Sequence, residues 1–142
     1  MTVAQILKGK GRDIVTLSPD ATIADASRTL AEKRIGAVLI TNKNGSIAGI
    51  LSERDIVRAL AKASAEGFDH PVSKHMTAKV ETVHEQDTIP HIMERMTAGK
   101  FRHMPVVENG LPVGIVSIGD VVKFRLAEME AEAKAMREYI TA

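Results

Sequence analysis

The chain has 142 residues, 44% of them apolar and 26% charged, and its 19 basic and 18 acidic side chains leave a formal charge of +1. That balance is globular, with enough chain to bury a core, and it lacks the basic excess of a nucleic-acid-binding surface. Cysteine is absent, which excludes disulfides, thiolate metal sites and a cysteine nucleophile, and with only 3% aromatics the core must be aliphatic and methionine-containing.

Residues 1–13 lack the apolar stretch of a signal peptide, and no run approaches the ~20 apolar residues of a membrane span. A cytoplasmic protein is expected. The basic stretch from Lys8 to Arg12 reads as a flexible, solvated loop. Its Gly9-Lys10-Gly11 lacks the third glycine of a dinucleotide fingerprint and precedes a strand rather than following one.

From Ile14 onward the chain repeats itself. Thr22-Ile23 falls on Thr88-Ile89, an offset of 66, and Gly49-Ile50 on Gly114-Ile115, an offset of 65, so one residue is lost around Thr41 to Asn44. Each copy begins with a short strand, Ile14 to Leu17 or Val80 to Val83. A helix follows, with one apolar face: Ile23, Ala26, Leu30 and Ala31, or Ile89, Ile92, Met93 and Met96. Thr22 with Asp25 opens the first helix as a capping box, and Pro90 falls in the first turn of the second, where its missing N–H is tolerated. Two strands come next, Ala37 to Thr41 and Ile47 to Leu51, then His103 to Val107 and Val113 to Val116, each pair joined by Asn-Gly. A second helix opens at Ser52 or Ser117.

The reading is an α/β (α+β) fold of two βαββα repeats, neither able to bury its faces alone. The expected segments are an N-terminal piece (1–13), repeat 1 (14–65), a linker broken by Gly67 and Pro71 (66–75), repeat 2 (76–124) and a long C-terminal helix (125–142). Val122, Leu126, Met129, Ala133, Met136 and Ile140 form a heptad-like seam along that helix. The seam packs on the chain's own core or makes a dimer contact.

Two features carry chemistry. Each repeat ends in Gly-x-x-Ser-x-x-Asp: Gly49, Ser52 and Asp55, then Gly114, Ser117 and Asp120. A carboxylate at the first turn of a helix can accept from both hydroxyls of a ribose, while the serine hydroxyl and the helix N–H groups favour a phosphate. The same pattern is also a helix cap. The second feature is Arg102-His103 at the start of a strand, where the first copy has Gly36-Ala37; Arg54 beside Asp55 faces Gly119 in the other copy. These basic groups suit a phosphate, or else decorate a solvated strand edge. No catalytic constellation assembles: His84-Glu85 and His91/Glu94 lack further ligands, and Ser117 is not in a nucleophile elbow.

The βαββα repeat, GILSERDIV (49–57), GIVSIGDVV (114–122) and the strand FRHMPVV (101–107) resemble the CBS domain, used in tandem as a Bateman module, over roughly residues 10 to 125. The resemblance is to small stand-alone bacterial CBS-pair proteins. It implies a pseudo-twofold pair with two clefts that bind AMP, ADP, ATP, NAD or S-adenosylmethionine. By position, Asp55 and Asp120 would take ribose hydroxyls, and Ser52 and Ser117 ribose or phosphate. Thr16 and Thr82 would line the adenine side, Val38 and Met104 would sandwich the base, and Pro105 would shape the strand. Arg54, Arg102 and His103 would face phosphate. A homodimer and a regulated protein partner are implied as well. The expected function is therefore an adenine-nucleotide-binding regulatory module without catalytic activity; the alternative is a structural dimerisation module with empty clefts. Relatives are often labelled inosine-monophosphate-dehydrogenase-like, but that enzyme needs a barrel and a cysteine that this chain lacks.

Overall fold

In the computed structural model, which describes residues 1–141, the chain runs α1 (Val3–Lys10), β1 (Thr16–Leu17), α2 (Ile23–Lys33), β2 (Ala37–Thr41), β3 (Ile47–Ser52) and α3 (Glu53–Ala63). Two short 3-10 turns, Ser64–Asp69 and Val72–Lys74, lead into α4 (Ile89–Gly99), β4 (His103–Glu108), β5 (Leu111–Ser117) and α5 (Ile118–Thr141). The last residue of the expected helical extension, Ala142, lies outside the described residues.

Local chemistry sets the helix starts. Thr22 and Asp25 form the capping box, with Asp25 N–H donating to Thr22 Oγ1 and Thr22 N–H to Asp25 Oδ2, both at 3.1 Å. Thr88 caps α4, with Pro90 in its first turn. The helices α2 and α4 each end on a basic residue in the left-handed region, Arg34 at φ 55° and Lys100 at φ 57°. The β4–β5 hairpin turns on Asn109 and Gly110, both at positive φ, as a two-residue primed turn requires.

The first strand of each copy is shorter than expected, while β5 is longer. β1 pairs in parallel with β2 over only Thr16–Leu17, and β2 pairs antiparallel with β3. In the second copy the expected strand from Val80 to Val83 shrinks to one parallel bridge, Val83 to Val106. Val83 N–H donates to the carbonyl of Pro105 and Val107 N–H to that of Val83, at 3.0 and 2.8 Å. On the N-terminal side the chain is diverted from the sheet by the cleft described below, so no longer ladder forms.

The largest departure is at the N-terminus. Residues 3–10 form a helix, so of the loop expected from Lys8 to Arg12 only Gly11 and Arg12 lie outside it. Its Val3, Ile6 and Leu7 are buried in the core of the second repeat, among Val83, Ile92, Met96, Met104, Val116 and Val121. Thr2 bridges to Thr88 ahead of α4, and Arg12 pairs with Glu85. Reciprocally, Val72 and Met76, which lead into the second repeat, pack in the core of the first with Ile23, Leu30, Val38, Ile40, Leu51 and Ile56. Pro71 bridges to Thr22 ahead of α2. Each repeat is thus closed by the segment that leads into the other.

This packing predicts the stability role of α1. Ile6→Ala should cost about 2–4 kcal/mol in denaturant unfolding, the range for a buried aliphatic truncation. A solvated leading segment would lose no more than ~0.5 kcal/mol.

Candidate functional site

The exchanged segments must cross back between the repeats, and each crossing passes one Ser-x-x-Asp end. The two segments are in register. A Cβ on Gly49 would stand 2.6 Å from Met76 Sδ, and one on Gly114 would stand 2.7 Å from Leu7 Cδ2, so Met76 and Leu7 fill equivalent places. Three residues further on come Lys79 and Lys10. The two Ser-x-x-Asp ends therefore start with matched lysines, but they are built differently.

The Asp55 cleft is open. It is a cavity of about 560 Å³ walled by Gly36 and Ala37, by Ile50, Ser52 to Asp55, Val57 and Arg58, by Thr77 and Lys79 to Glu81, and by Lys100 to His103. Asp55 is held by the cap: its Oδ2 accepts from Ser52 N–H at 2.9 Å and Ser52 Oγ–H at 3.1 Å. The Ser-x-x-Asp pattern is thus a capping box, and it is also a cleft wall. The two roles are compatible because the carboxylate has a second oxygen, Oδ1. Thr77 N–H donates to the carbonyl of Ile50 at 2.9 Å and pins the crossing strand beside the cleft. Five basic groups, Arg54, Arg58, Lys79, Lys100 and Arg102, face three acidic ones, Glu53, Asp55 and Glu81. Ala37, Ile50, Val57, Val80 and Phe101 supply apolar wall, and Val57 is 66% exposed there.

At the Asp120 end, a lysine occupies the equivalent place. Lys10 Nζ lies 2.6 Å from Asp120 Oδ2 and 3.0 Å from the carbonyl of Ile115, the counterpart of the Ile50 carbonyl. Asp120 Oδ2 also accepts from Ser117 N–H at 2.9 Å. Burial pushes the Asp120 carboxyl up, but the Lys10 ammonium and the Ser117 cap outweigh it and hold the group below the ordinary carboxylate value.

His103 lies between the two ends. A Cβ on Gly36 would stand 3.2 Å from its ring, so the imidazole of the second repeat rests on the backbone of the first. Its pKa is lowered by burial and then by the nearby Lys10 charge, with Asp120 and Glu53 opposing.

Of the expected site residues, Ser52, Arg54, Asp55, Arg102 and His103 come together around the open cleft. Ser117 and Asp120 form the second end with Lys10. Val38 and Met104 do not flank a cavity: both side chains are at most 1% exposed, in the first and second cores respectively. Pro105 is buried on β4, its carbonyl taken by Val83 N–H. Thr16 is exposed on β1, and Thr82 is half-buried with its carbonyl accepting from Arg95, so neither side chain lines the open cleft. Sequence reasoning missed Lys10, Lys79 and Lys100. The first two are aligned only by extending the repeat upstream of Ile14; Lys100 is signalled only by its match to Arg34 at a helix end.

Two pseudo-equivalent halves beside a basic, half-apolar cleft define a tandem-repeat class of α+β fold. The CBS-domain family model matches residues 4–62 and 72–127, and the chain belongs to that family. A 17.7 kDa protein of Acidianus ambivalens is 35% identical over 85% of this chain and 71% of its own. The chain spans only about a fifth of several longer Arabidopsis thaliana CBS-domain proteins that it also matches. Among solved structures, a CBS-domain protein of Agrobacterium tumefaciens is 46% identical, covers 88% of this chain and 99% of its own, and superposes with a TM-score of 0.86. A Pyrobaculum aerophilum CBS-domain protein, complexed with AMP, is 31% identical with a TM-score of 0.75, covering 84% and 89%. The CBS pair of protein MJ0100, in complex with 5-methylthioadenosine and S-adenosyl-L-methionine, is 26% identical with a TM-score of 0.81, covering 90% and 98%.

Lys10→Met removes the cation from Asp120 and leaves its burial, so the Asp120 carboxyl should titrate at higher pH in the variant, followed by carbon-detected NMR. The sign carries to stability. A carboxyl held low in the folded state stabilises above its ordinary value, and that contribution fades as pH falls through the folded value. The variant should therefore lose less stability than the parent across that acid window.

Proposed function

We propose that the chain is a non-catalytic regulatory module that binds an adenine nucleotide in the Asp55 cleft. The observation that carries this reading is the composition of that cleft: a carboxylate beside an apolar wall, with an excess of cations. A cavity of about 560 Å³ suits a ligand of nucleotide size. Asp55 Oδ1 would accept from the ribose hydroxyls, and Ala37, Ile50, Val57 and Val80 would border the base. Lys79, Lys100 and Arg102 would meet the phosphates, Arg102 as a planar fork. The AMP, 5-methylthioadenosine and S-adenosyl-L-methionine held by related CBS pairs share the adenosine part.

Charge orders the candidates. Five cations against three carboxylates disfavour a sulfonium ligand and favour ADP or ATP over AMP, and over NAD, whose nicotinamide cation offsets one of its two phosphate charges. The Asp120 end, its carboxylate neutralised by Lys10, is the weaker site. A nucleotide in the open cleft would touch the first repeat, the crossing segment and the second repeat together. Ligand binding would then stiffen the relation between the halves, a change that a cytoplasmic partner protein can read.

The test is isothermal titration with AMP, ADP, ATP, NAD and S-adenosylmethionine on ligand-free protein, backed by thermal unfolding. One equivalent should bind, with about 2.7 kcal/mol of stabilisation at a hundredfold excess over Kd. Asp55→Ala should abolish it and Asp120→Ala should leave it largely intact. The reverse pattern would move the site to the other end. No binding by any of the five would favour an interaction module with empty clefts.

A further inference from the structure

We infer that the distal part of α5 is a parallel, in-register coiled-coil contact with a second copy of this chain. The inference stands apart from the nucleotide reading, because it uses no cleft residue. Helix α5 packs on its own repeat only through its first turns, where Val121 is buried and Phe124 lies against the core. From Met129 to Thr141 every described residue is exposed. A helical stretch of that length without packing is marginal in water. Its apolar residues are nevertheless in a row: Leu126, Met129, Met136 and Ile140 are 55%, 49%, 60% and 74% exposed, with Ala133 between them. The 4-3 spacing is that of a two-stranded seam, with Leu126, Ala133 and Ile140 at one seam position and Met129 and Met136 at the other.

The charges beside the seam identify the occupant and its direction. Arg125 and Glu132 flank it on one side; Glu130 and Arg137 flank it on the other. In a parallel pair the residue just before Leu126 or Ala133 faces the residue five positions later on the partner. That matches Arg125 with Glu130 and Glu132 with Arg137, opposite charges both times and on both sides of the twofold. In an antiparallel pair with the same seam, Lys123 would face Arg137, Glu130 would face Glu130 and Glu132 would face Glu132, like charges throughout. A second copy laid parallel therefore satisfies both the apolar row and its borders.

The chain has no cysteine, so one introduced thiol reports the geometry. In full-length protein, Met136→Cys should form an interchain disulfide on mild oxidation, because in-register seam positions meet their own copies. Ala131→Cys, on the opposite face, should not. Light scattering should give a dimer, and Arg137→Glu, which sets Glu132 against a new glutamate twice per dimer, should weaken it about tenfold. Adding Glu132→Arg should restore it. All four substituted side chains are exposed, so circular dichroism should show unchanged folding. A protein that stays monomeric, crosslinks equally through position 131, or dimerises more tightly with Arg137→Glu overturns the proposal.

Discussion

Gly49 and Gly114 set the arrangement that everything else follows. Each lies mid-strand, where a Cβ would collide with a side chain of the segment leading into the other repeat: Met76 for Gly49 and Leu7 for Gly114. Their bare backbones let those segments lie flat on the sheets, where Thr77 pairs with Ile50 and α1 packs on β5. Neither half can then fold as a closed unit without a piece that the chain assigns to the other. The core of the second repeat needs Val3, Ile6 and Leu7, and the core of the first needs Val72 and Met76. Having been committed to the wrong half, each segment must cross the molecule to start its own repeat; one crossing walls the open cleft at Asp55, and the other carries Lys10 to Asp120.

The two Ser-x-x-Asp ends inherit matched backbones and unmatched charge. Both crossings place a lysine past the Ser-x-x-Asp end, and both ends use the aspartate as a helix cap. They diverge in how the aspartate is answered. Beside Asp55 a backbone N–H, that of Thr77, takes the Ile50 carbonyl, and Lys79 is left to line the cavity. Beside Asp120 the ammonium of Lys10 takes both the Ile115 carbonyl and the carboxylate. A charge-assisted bond of 2.6 Å to a half-buried carboxylate is the stronger kind, and a ligand hydroxyl must displace it to reach the same oxygen. Duplication kept the cap on Oδ2 in both halves; what differs is that Lys10 neutralises Asp120, whereas the open cavity lies beside Asp55.

Much of the fold was legible in the residues, because helix caps and hairpins act locally. Thr22 with Asp25, Thr88 with Pro90, and Asn109-Gly110 each declare an element within four residues, and the structure has all of them. What was not legible depends on distant partners. Nothing in MTVAQILKGK distinguishes a solvated arm from a helix until Val3, Ile6 and Leu7 are given the second core to enter. Likewise KVETV looks like a strand until the cleft claims Lys79 to Glu81, leaving Val83 alone on the sheet. That Ser52, Arg54, Asp55, Arg102 and His103 fall around one cleft was readable because they sit at element ends that the repeat aligns. Val38 and Met104 were misplaced for the opposite reason: a strand buried on both faces has no alternation to say which side chains reach a cavity.

Helix α5 joins the two ends of this account. Its first turn holds Asp120, whose carboxylate serves the cap and binds Lys10; its last turns carry the apolar seam. A negative charge at the start of a helix stabilises that start through the exposed N–H groups, and Lys10 offsets part of that charge. Lys10 in turn belongs to α1, which packs against both β5 and α5. His103, resting on Gly36 at the mouth of the open cleft, feels the Lys10 and Asp120 charges. The route from the cavity to the tail is therefore short and physical: a ring on the cleft wall, a lysine from the exchanged segment, and the capping carboxylate of the helix. A phosphate drawn to Arg102 would add negative charge beside that ring. Charge added there favours the imidazolium and strengthens its pull on Asp120, in competition with Lys10 for the same carboxylate.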